Sequence, residues 1–246
     1  VFGLDVLFFF GGGQLSRHVE DALGMLEERR AMEPRATLGL SGGKDSLVVL
    51  DLALKVYGKK NIVPFHMNFI PGLDIVKDLL DYPIKRFGLK EVKQIFSEHF
   101  FRAYKYGCYG WDQYNKEEIP IVTRKKIFET VATETKITTM ILGVKKIDSM
   151  IVARSIDLNR SYGGSVYPIY GWKTTEIFAY LKANQIDIPA LYYKGVRGVG
   201  VDDASVLFMQ NNYPQDLDRI ERFFPFVRAI VYKYDHYDIV RKLRLV

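Results

Sequence analysis

The sequence predicts an α/β protein: a parallel sheet with crossover helices and a helical C-terminal appendage. Three observations carry that prediction. Short apolar runs alternate along the chain with longer amphipathic stretches, the order expected of parallel strands joined by helices. A glycine-rich turn, Ser41-Gly42-Gly43-Lys44-Asp45-Ser46, joins the first apolar run (Ala36 to Leu40) to an apolar helical pattern from Leu47 to Tyr57. A chain of 246 residues with 48% apolar content is also long enough to bury one sizeable core.

Taken in order, residues 15–30 place Leu15, Val19, Leu23 and Leu26 at helical spacing, with Ser16 as the expected cap. The first strand, the glycine turn and its helix follow. A second apolar run spans Asn61 to Phe69, then come a helix over Asp74 to Phe87 and a short strand over Val92 to Phe96. Phe100 to Pro120 is aromatic-rich and polar at once, and reads as an irregular insertion over one edge. A helix over Thr123 to Lys136, a strand over Thr139 to Val144, a Lys- and Arg-rich loop and a capped helix over Trp172 to Ala183 complete the pattern. From Tyr213 two more helices and a basic tail are expected. Right-handed crossovers place the loop after the first strand at the ligand edge of such a sheet.

That loop is chemically specific. A strand feeding a glycine turn that opens a helix gathers backbone N–H groups and the positive end of a helix dipole around one small volume, which favours an anion. Gly42 and Gly43 let the backbone approach a ligand, Lys44 adds a charge suited to phosphate, and the Ser41 and Ser46 hydroxyls donate to phosphate oxygens or cap the helix. Asp45 would repel phosphate unless a cation lay between them, so it argues for magnesium. The familiar Walker loop is excluded, because Asp45 follows Gly43-Lys44 and Leu38 stands where its first glycine belongs.

Composition narrows the rest. The formal charge of +6 fits an anionic ligand, nucleotide or nucleic acid, without choosing between them. The single cysteine, Cys108, rules out an intramolecular disulfide and a thiolate metal cluster, and it suits a reducing cytoplasmic setting; a buried, inert thiol is expected. Val6 to Phe10 is too short to span a bilayer and lacks the flanks of a secretion signal, so a soluble protein with no membrane partner is expected. The chain begins at Val1 rather than Met, which leaves its true start open.

Several stretches together resemble one family over roughly residues 35–205, the phosphoadenosine phosphosulfate (PAPS) reductases and their relatives in the adenine nucleotide alpha-hydrolase, or PP-loop ATP pyrophosphatase, superfamily. S-G-G-K-D-S resembles the PP-loop. NFIPGLDIVKDLLDYPIKRFGL resembles the family's stretch ending in "ryGL", and LGVKKIDSMIVAR the "GvRrdES..R" loop. YPIYGWKTTEIFAYLKANQIDIPALYYKGVRGVG resembles "nPi.dWt..dvw.yi....i..npLY..Gy.siG". The resemblance implies a Rossmann-like, HUP-type sheet. It divides the chain into an N-terminal segment and helix (1–34), an adenine-nucleotide-binding α/β domain (35–205) and a helical extension (206–246).

It also implies ATP or a related adenine nucleotide, with adenine near His66, Met67, Asn68 and Gly143 and phosphates on Ser41 to Ser46. Lys145, Arg154 and Arg160 are candidates for the far phosphate or a second substrate's anionic group. Lys44, a magnesium ion held by Asp45, and Arg154 would then serve cleavage between the α and β phosphates, a transferase reaction that adenylates a second substrate and releases pyrophosphate. Two features depart from the reductases: the Lys-Asp part of the loop is kept, and no cysteine follows Cys108, so neither a reductive nucleophile nor an iron–sulfur cluster is expected. A sulfonucleotide reductase using an external thiol and a non-catalytic nucleotide-binding subunit remain open.

His18, His66, His99 and His236 share no metal-ligand spacing. Asp202-Asp203 is open between a second metal anchor and a solvated turn, whereas Asp148 lies inside the matched loop near the expected nucleotide. The aromatic and basic interleaving at Phe100 to Trp111, with Arg241, Lys242 and Arg244, leaves a nucleic-acid or protein partner open. A homo-oligomer or a subunit of a complex is expected. The second substrate is not encoded in any spacing rule.

Overall fold

A helix buried on almost every side organises the first part of the chain. In the computed structural model, which describes residues 13–110, 120–148, 150, 153–154, 165–188 and 199–236, helix α2 (Lys44–Tyr57) buries Leu47, Val48, Val49, Leu50, Leu52 and Ala53 completely. Each such side chain contributes about 1.5–3 kcal/mol of transfer free energy. The apolar residues run around the helix rather than along one stripe because it packs at once against α1 (Gly13–Met32), strand β1 (Ala36–Gly39) and helix α6 (Thr174–Ala183).

The sheet has the order β3-β2-β1-β4-β5, with β2 (Ile62–Asn68), β3 (Lys93–Phe96), β4 (Met140–Ile141) and β5 (Ser165–Val166). β1 runs parallel to both β2 and β4, with Thr37 opposite Val63 and Met140, and β4 runs parallel to β5. Helix α2 links β1 to β2, and α3 (Asp74–Phe87) links β2 to β3. The chain therefore grows in one direction from β1 and in the other through β4 and β5. The strand order reverses between β1 and β4, which is where open parallel sheets leave a crevice at their carboxyl ends.

Clustering of contacts divides the chain into two units, residues 1–67, 80–94 and 128–189, and residues 68–79, 95–127 and 190–246. In the first, Glu33 after α1 ties itself to the start of β4, accepting from Thr138 N (2.9 Å), Thr138 Oγ1 (2.8 Å) and Thr139 N (2.6 Å). Burial acts to raise the Glu33 pKa, but these donors outweigh it and hold the carboxyl below its ordinary value. Tyr180 on α6 donates to Asp51 Oδ2 on α2 (2.6 Å), and Lys55 closes the triangle on Asp51 (2.7 Å). Burial first, then the Asp51 charge, pushes the Tyr180 pKa up.

The second unit has an aromatic core. Phe224 stacks on Phe69 at 5.4 Å, and Phe100 packs edge-on against Phe69 and Phe223. Asp216, wholly buried on α8 (Pro214–Glu221), caps the first turn of α3 by accepting from Asp74 N (2.9 Å) and Ile75 N (2.8 Å). Arg219 bridges Asp216 (2.7 Å), Asp74 (2.9 Å) and the Gly72 carbonyl (2.8 Å). Glu98 is buried beside Arg124 (2.5 Å); burial acts to raise its pKa, and the Arg124 charge and hydrogen bonds bring it below its ordinary value.

Several expectations change here. Helix α1 starts by Gly13, so Ser16 lies inside it rather than capping it. The start of the expected irregular insertion is helical: α4 (Glu98–Lys105) is capped by the Ser97 hydroxyl, which accepts from Phe100 N at 3.4 Å. Asp202, expected at a turn or a metal site, has a helix-capping role. It caps α7 (Asp203–Asn212), accepting from Ser205 N (3.1 Å) and Ser205 Oγ (2.6 Å). Cys108 is exposed rather than buried. The remaining described helices are α5 (Arg124–Thr135) and α9 (Ala229–Asp235). No described helix is long and apolar enough to cross a membrane.

Candidate functional site

The loop after β1 is shaped by short-range bonding of its own residues. Gly42 has φ +74°, a left-handed turn that a side chain would strain, and Gly43 then occupies the N-cap of α2 in an extended conformation. No side chain caps that helix start. Instead Ser41 Oγ accepts from Gly43 N (3.3 Å) and donates to Ser46 Oγ (3.1 Å), while Ser46 Oγ donates to the Gly43 carbonyl (2.9 Å). The two serines brace the turn, and the first turn of α2 presents its positive dipole end to whatever lies above it.

The loop after β4 comes to the same place, because β4 is the neighbour of β1 across the strand reversal. Gly143 packs directly on the first turn of α2. A Cβ there would stand 3.1 Å from Asp45 C and O and 3.2 Å from Ser46 N, backbone atoms that would have to give by a few tenths of an ångström. Two residues on, Lys145 is only 1% exposed. Its Nζ lies 2.7 Å from Asp45 Oδ1 and 3.0 Å from Asp148 Oδ1, and its backbone N–H donates to Asp148 Oδ2 at 2.9 Å. Lys44 Nζ meets the other Asp45 oxygen at 2.6 Å. The result is a chain of alternating charge, Lys44, Asp45, Lys145, Asp148, two cations and two anions that sum to zero. The flanking carboxylates offset the cost of burying a lysine this deeply.

Among the described residues no group of three or more His, Cys, Asp and Glu is placed to hold a metal ion. Asp45 is the one carboxylate of the 41–46 loop. This donor set does not fit a metal caged by protein alone; it fits magnesium carried mainly by phosphate oxygens and water with a single carboxylate ligand, as magnesium commonly is.

The other expected residues distribute as follows. His66 is 8% exposed, and its Nδ1–H donates to the Leu40 carbonyl at 2.8 Å, bracing the end of β1. Burial holds its pKa below the ordinary value, with the Leu40 bond acting the other way. Met67 is half-buried beside it in β2. Asn68 ends β2 and belongs to the second unit, where its carbonyl accepts from Ser97 N at 2.7 Å. Arg154 is exposed, next to Ala153, whose carbonyl accepts from Tyr170 Oη at 3.1 Å. Arg160 lies outside the described residues. Asp148, singled out in the sequence only by its place in the matched loop, is here joined to Lys145, its i, i+3 neighbour.

The chain is similar to known proteins in family and in fold. The model of the phosphoadenosine phosphosulfate reductase domain matches residues 35–205. An uncharacterized protein of Methanocaldococcus jannaschii is 24% identical over 227 residues, covering 90% of this chain and 46% of that protein. The chain thus spans a little under half of that relative. Among solved structures, the NH3-dependent NAD synthetase of Campylobacter jejuni aligns with 18% identity over 90% of this chain and 95% of its own, at a TM-score of 0.50. The FMN adenylyltransferase of Candida glabrata, in complex with FAD and inorganic pyrophosphate, aligns with 12% identity over 80% of this chain and 69% of its own, at a TM-score of 0.55. At such identities the likeness is one of fold. With the family match extending over most of the chain and containing both loops of the charged cluster, this chain belongs to the phosphoadenosine phosphosulfate reductase domain family.

Proposed function

We propose that this chain binds ATP with magnesium on the 41–46 loop and promotes cleavage between the α and β phosphates, so that a second substrate attacks the α-phosphorus and pyrophosphate leaves. The observation that supports the reading is the pair of ammonium groups, Lys44 and Lys145, set on either side of Asp45 at the start of α2. As the anhydride breaks, negative charge gathers on the leaving pyrophosphate, and fixed cations aimed at that charge stabilise the transition state more than the ground state. Magnesium, when bound with the nucleotide, supplies Lewis-acid stabilisation of the same oxygens.

In this reading Ser41 and Ser46 hold the glycine turn and donate to phosphate, and Gly42 and Gly43 admit the polyphosphate to the backbone. Gly143, His66, Met67 and Asn68 line the adenine, and Arg154 and Arg160 face the far phosphate or the second substrate.

The test is incubation with ATP, magnesium and a metabolite extract, followed by separation of the phosphate products. AMP-linked product and pyrophosphate, both lost in Lys44→Ala, are expected; orthophosphate as the sole product overturns the reading. The family match itself favours a second reading, a sulfonucleotide reductase with an external thiol. Binding of phosphoadenosine phosphosulfate far more tightly than ATP would select it.

A further inference from the structure

Asp148 is the one member of the charged cluster that lies outside the loop and does not touch Asp45 through a shared bond. Among the described residues its contacts with the site all run to Lys145: Oδ2 accepts from the Lys145 backbone N–H at 2.9 Å and from its ammonium at 3.3 Å, and Oδ1 stands 3.0 Å from the same ammonium. The same carboxylate therefore fixes both ends of that side chain. The short helical turn over Lys146–Asp148, with Asp148 N donating to the Lys145 carbonyl at 3.1 Å and Lys146 N to the Tyr170 carbonyl at 2.8 Å, holds the carboxylate in place. Side-chain exposure falls from 44% at Asp148 to 18% at Asp45 and 1% at Lys145, so the carboxylate covers the outer side of a buried ammonium.

We propose that Asp148 is a positioning residue that makes the loop selective for polyphosphate already complexed with a divalent cation. This rests on the reading of 41–46 as a polyphosphate site. With Asp148 in place the cluster is neutral, and Lys145 is held toward Asp45 with its charge spent on two carboxylates. A metal-free triphosphate, carrying about four negative charges, is repelled by the Asp148 carboxylate about twice as strongly as its magnesium complex, which carries about half that charge. Neutralising Asp148 leaves one surplus cation, Lys145, which attracts the more highly charged ligand more strongly. A unit charge acting across roughly 6 Å, between the limits for water and protein interior, changes ion binding by about tenfold.

The experiment is calorimetric titration of the intact chain with ATP, once with magnesium and once with a chelator, for wild type, Asp148→Asn, Asp148→Glu and Lys145→Met. Asparagine keeps an acceptor for the Lys145 N–H and loses only the charge. Asp148→Asn is expected to narrow the ratio of the two affinities by about tenfold, chiefly through tighter binding of metal-free ATP, and Asp148→Glu to restore most of it. In the Lys145→Met background the direct repulsion by Asp148 persists while the positioned group is gone, so Asp148→Asn should move the ratio by clearly less than it does with Lys145 present. A ratio unchanged by Asp148→Asn in the folded protein, or changed equally with and without Lys145, overturns the assignment while leaving the nucleotide reading intact. Failure of wild type to bind ATP under either condition overturns both.

Discussion

Gly143→Ala tests whether the loops after β1 and β4 are packed as tightly as the structure has them. The new Cβ would lie 3.1 Å from the carbonyl carbon and oxygen of Asp45 and 3.2 Å from Ser46 N. Carbon atoms prefer about 3.5–4.0 Å, so the methyl intrudes by roughly half an ångström on the backbone of a helix that is itself fixed by its buried apolar side chains. Overpacking of this kind costs about 1–3 kcal/mol. Replacing glycine also restricts the unfolded chain, which returns about 0.4–1 kcal/mol. The steric cost wins, leaving a net loss of about 0.5–2 kcal/mol, or a fall of several degrees in Tm at about 2–4 °C per kcal/mol for a chain of this size. Urea denaturation with an unchanged m-value measures it, and ATP titration reports the accompanying displacement of Lys145, two residues away. A variant as stable as wild type, or more stable, with unaltered ATP affinity would refute the close approach of the two loops.

Lys44→Ala should weaken ATP binding about 10- to 100-fold through loss of a charge-assisted contact to phosphate, while leaving the denaturation midpoint nearly in place; titration calorimetry and urea melts separate the two. Asp216→Ala removes a buried carboxylate that caps α3 through two N–H groups and pairs with Arg219. The expected loss is about 3 kcal/mol, read as a lower urea midpoint, and a neutral result would mean that this cap contributes nothing. Stability should also depend on pH with a definite sign. His66 is held below 6.5, and Glu33 and Glu98 below 4.5, so in each case the unfolded chain takes up the proton first as pH falls. The His66 contribution is complete above pH 6.5 and lost below it, and the carboxylate contributions are lost below pH 4.5. Urea midpoints measured from pH 8 to pH 3 should decline in that order, and a flat profile between pH 7 and pH 5 would exclude the buried neutral histidine. Tyr213, pushed up to about 12 by burial and by its hydrogen bond to Asp78, should stay protonated through pH 10, which ultraviolet titration checks.

Elements whose stability is local could be read directly. The glycine turn, the helix after it and the helix over Asp74 to Phe87 each declare themselves within a dozen residues, through a turn, a cap or a repeating apolar pattern. β4, Met140–Ile141, lies inside the apolar run over Thr139 to Val144, whereas β5 is two residues long, too short for any period to register, and exists because β4 supplies its partner. Helix α7 went unread because its start is signalled only by Asp202, which also reads as a turn residue. The Lys145–Asp45 contact joins residues a hundred positions apart.

What the sequence alone determined is a glycine-rich turn at the end of a first strand, the α/β alternation, and the family to which the matched loops belong. Only the tertiary structure decided that Lys145 is buried against Asp45 and shared with Asp148, that Gly143 sits tight against the first turn of α2, and that Asp216 caps a helix far away in the chain. The reason is physical. Turns and periodicities follow from bonding between near neighbours, whereas the partners of a buried charge are settled by which strands lie side by side, and that depends on the packing of the whole unit.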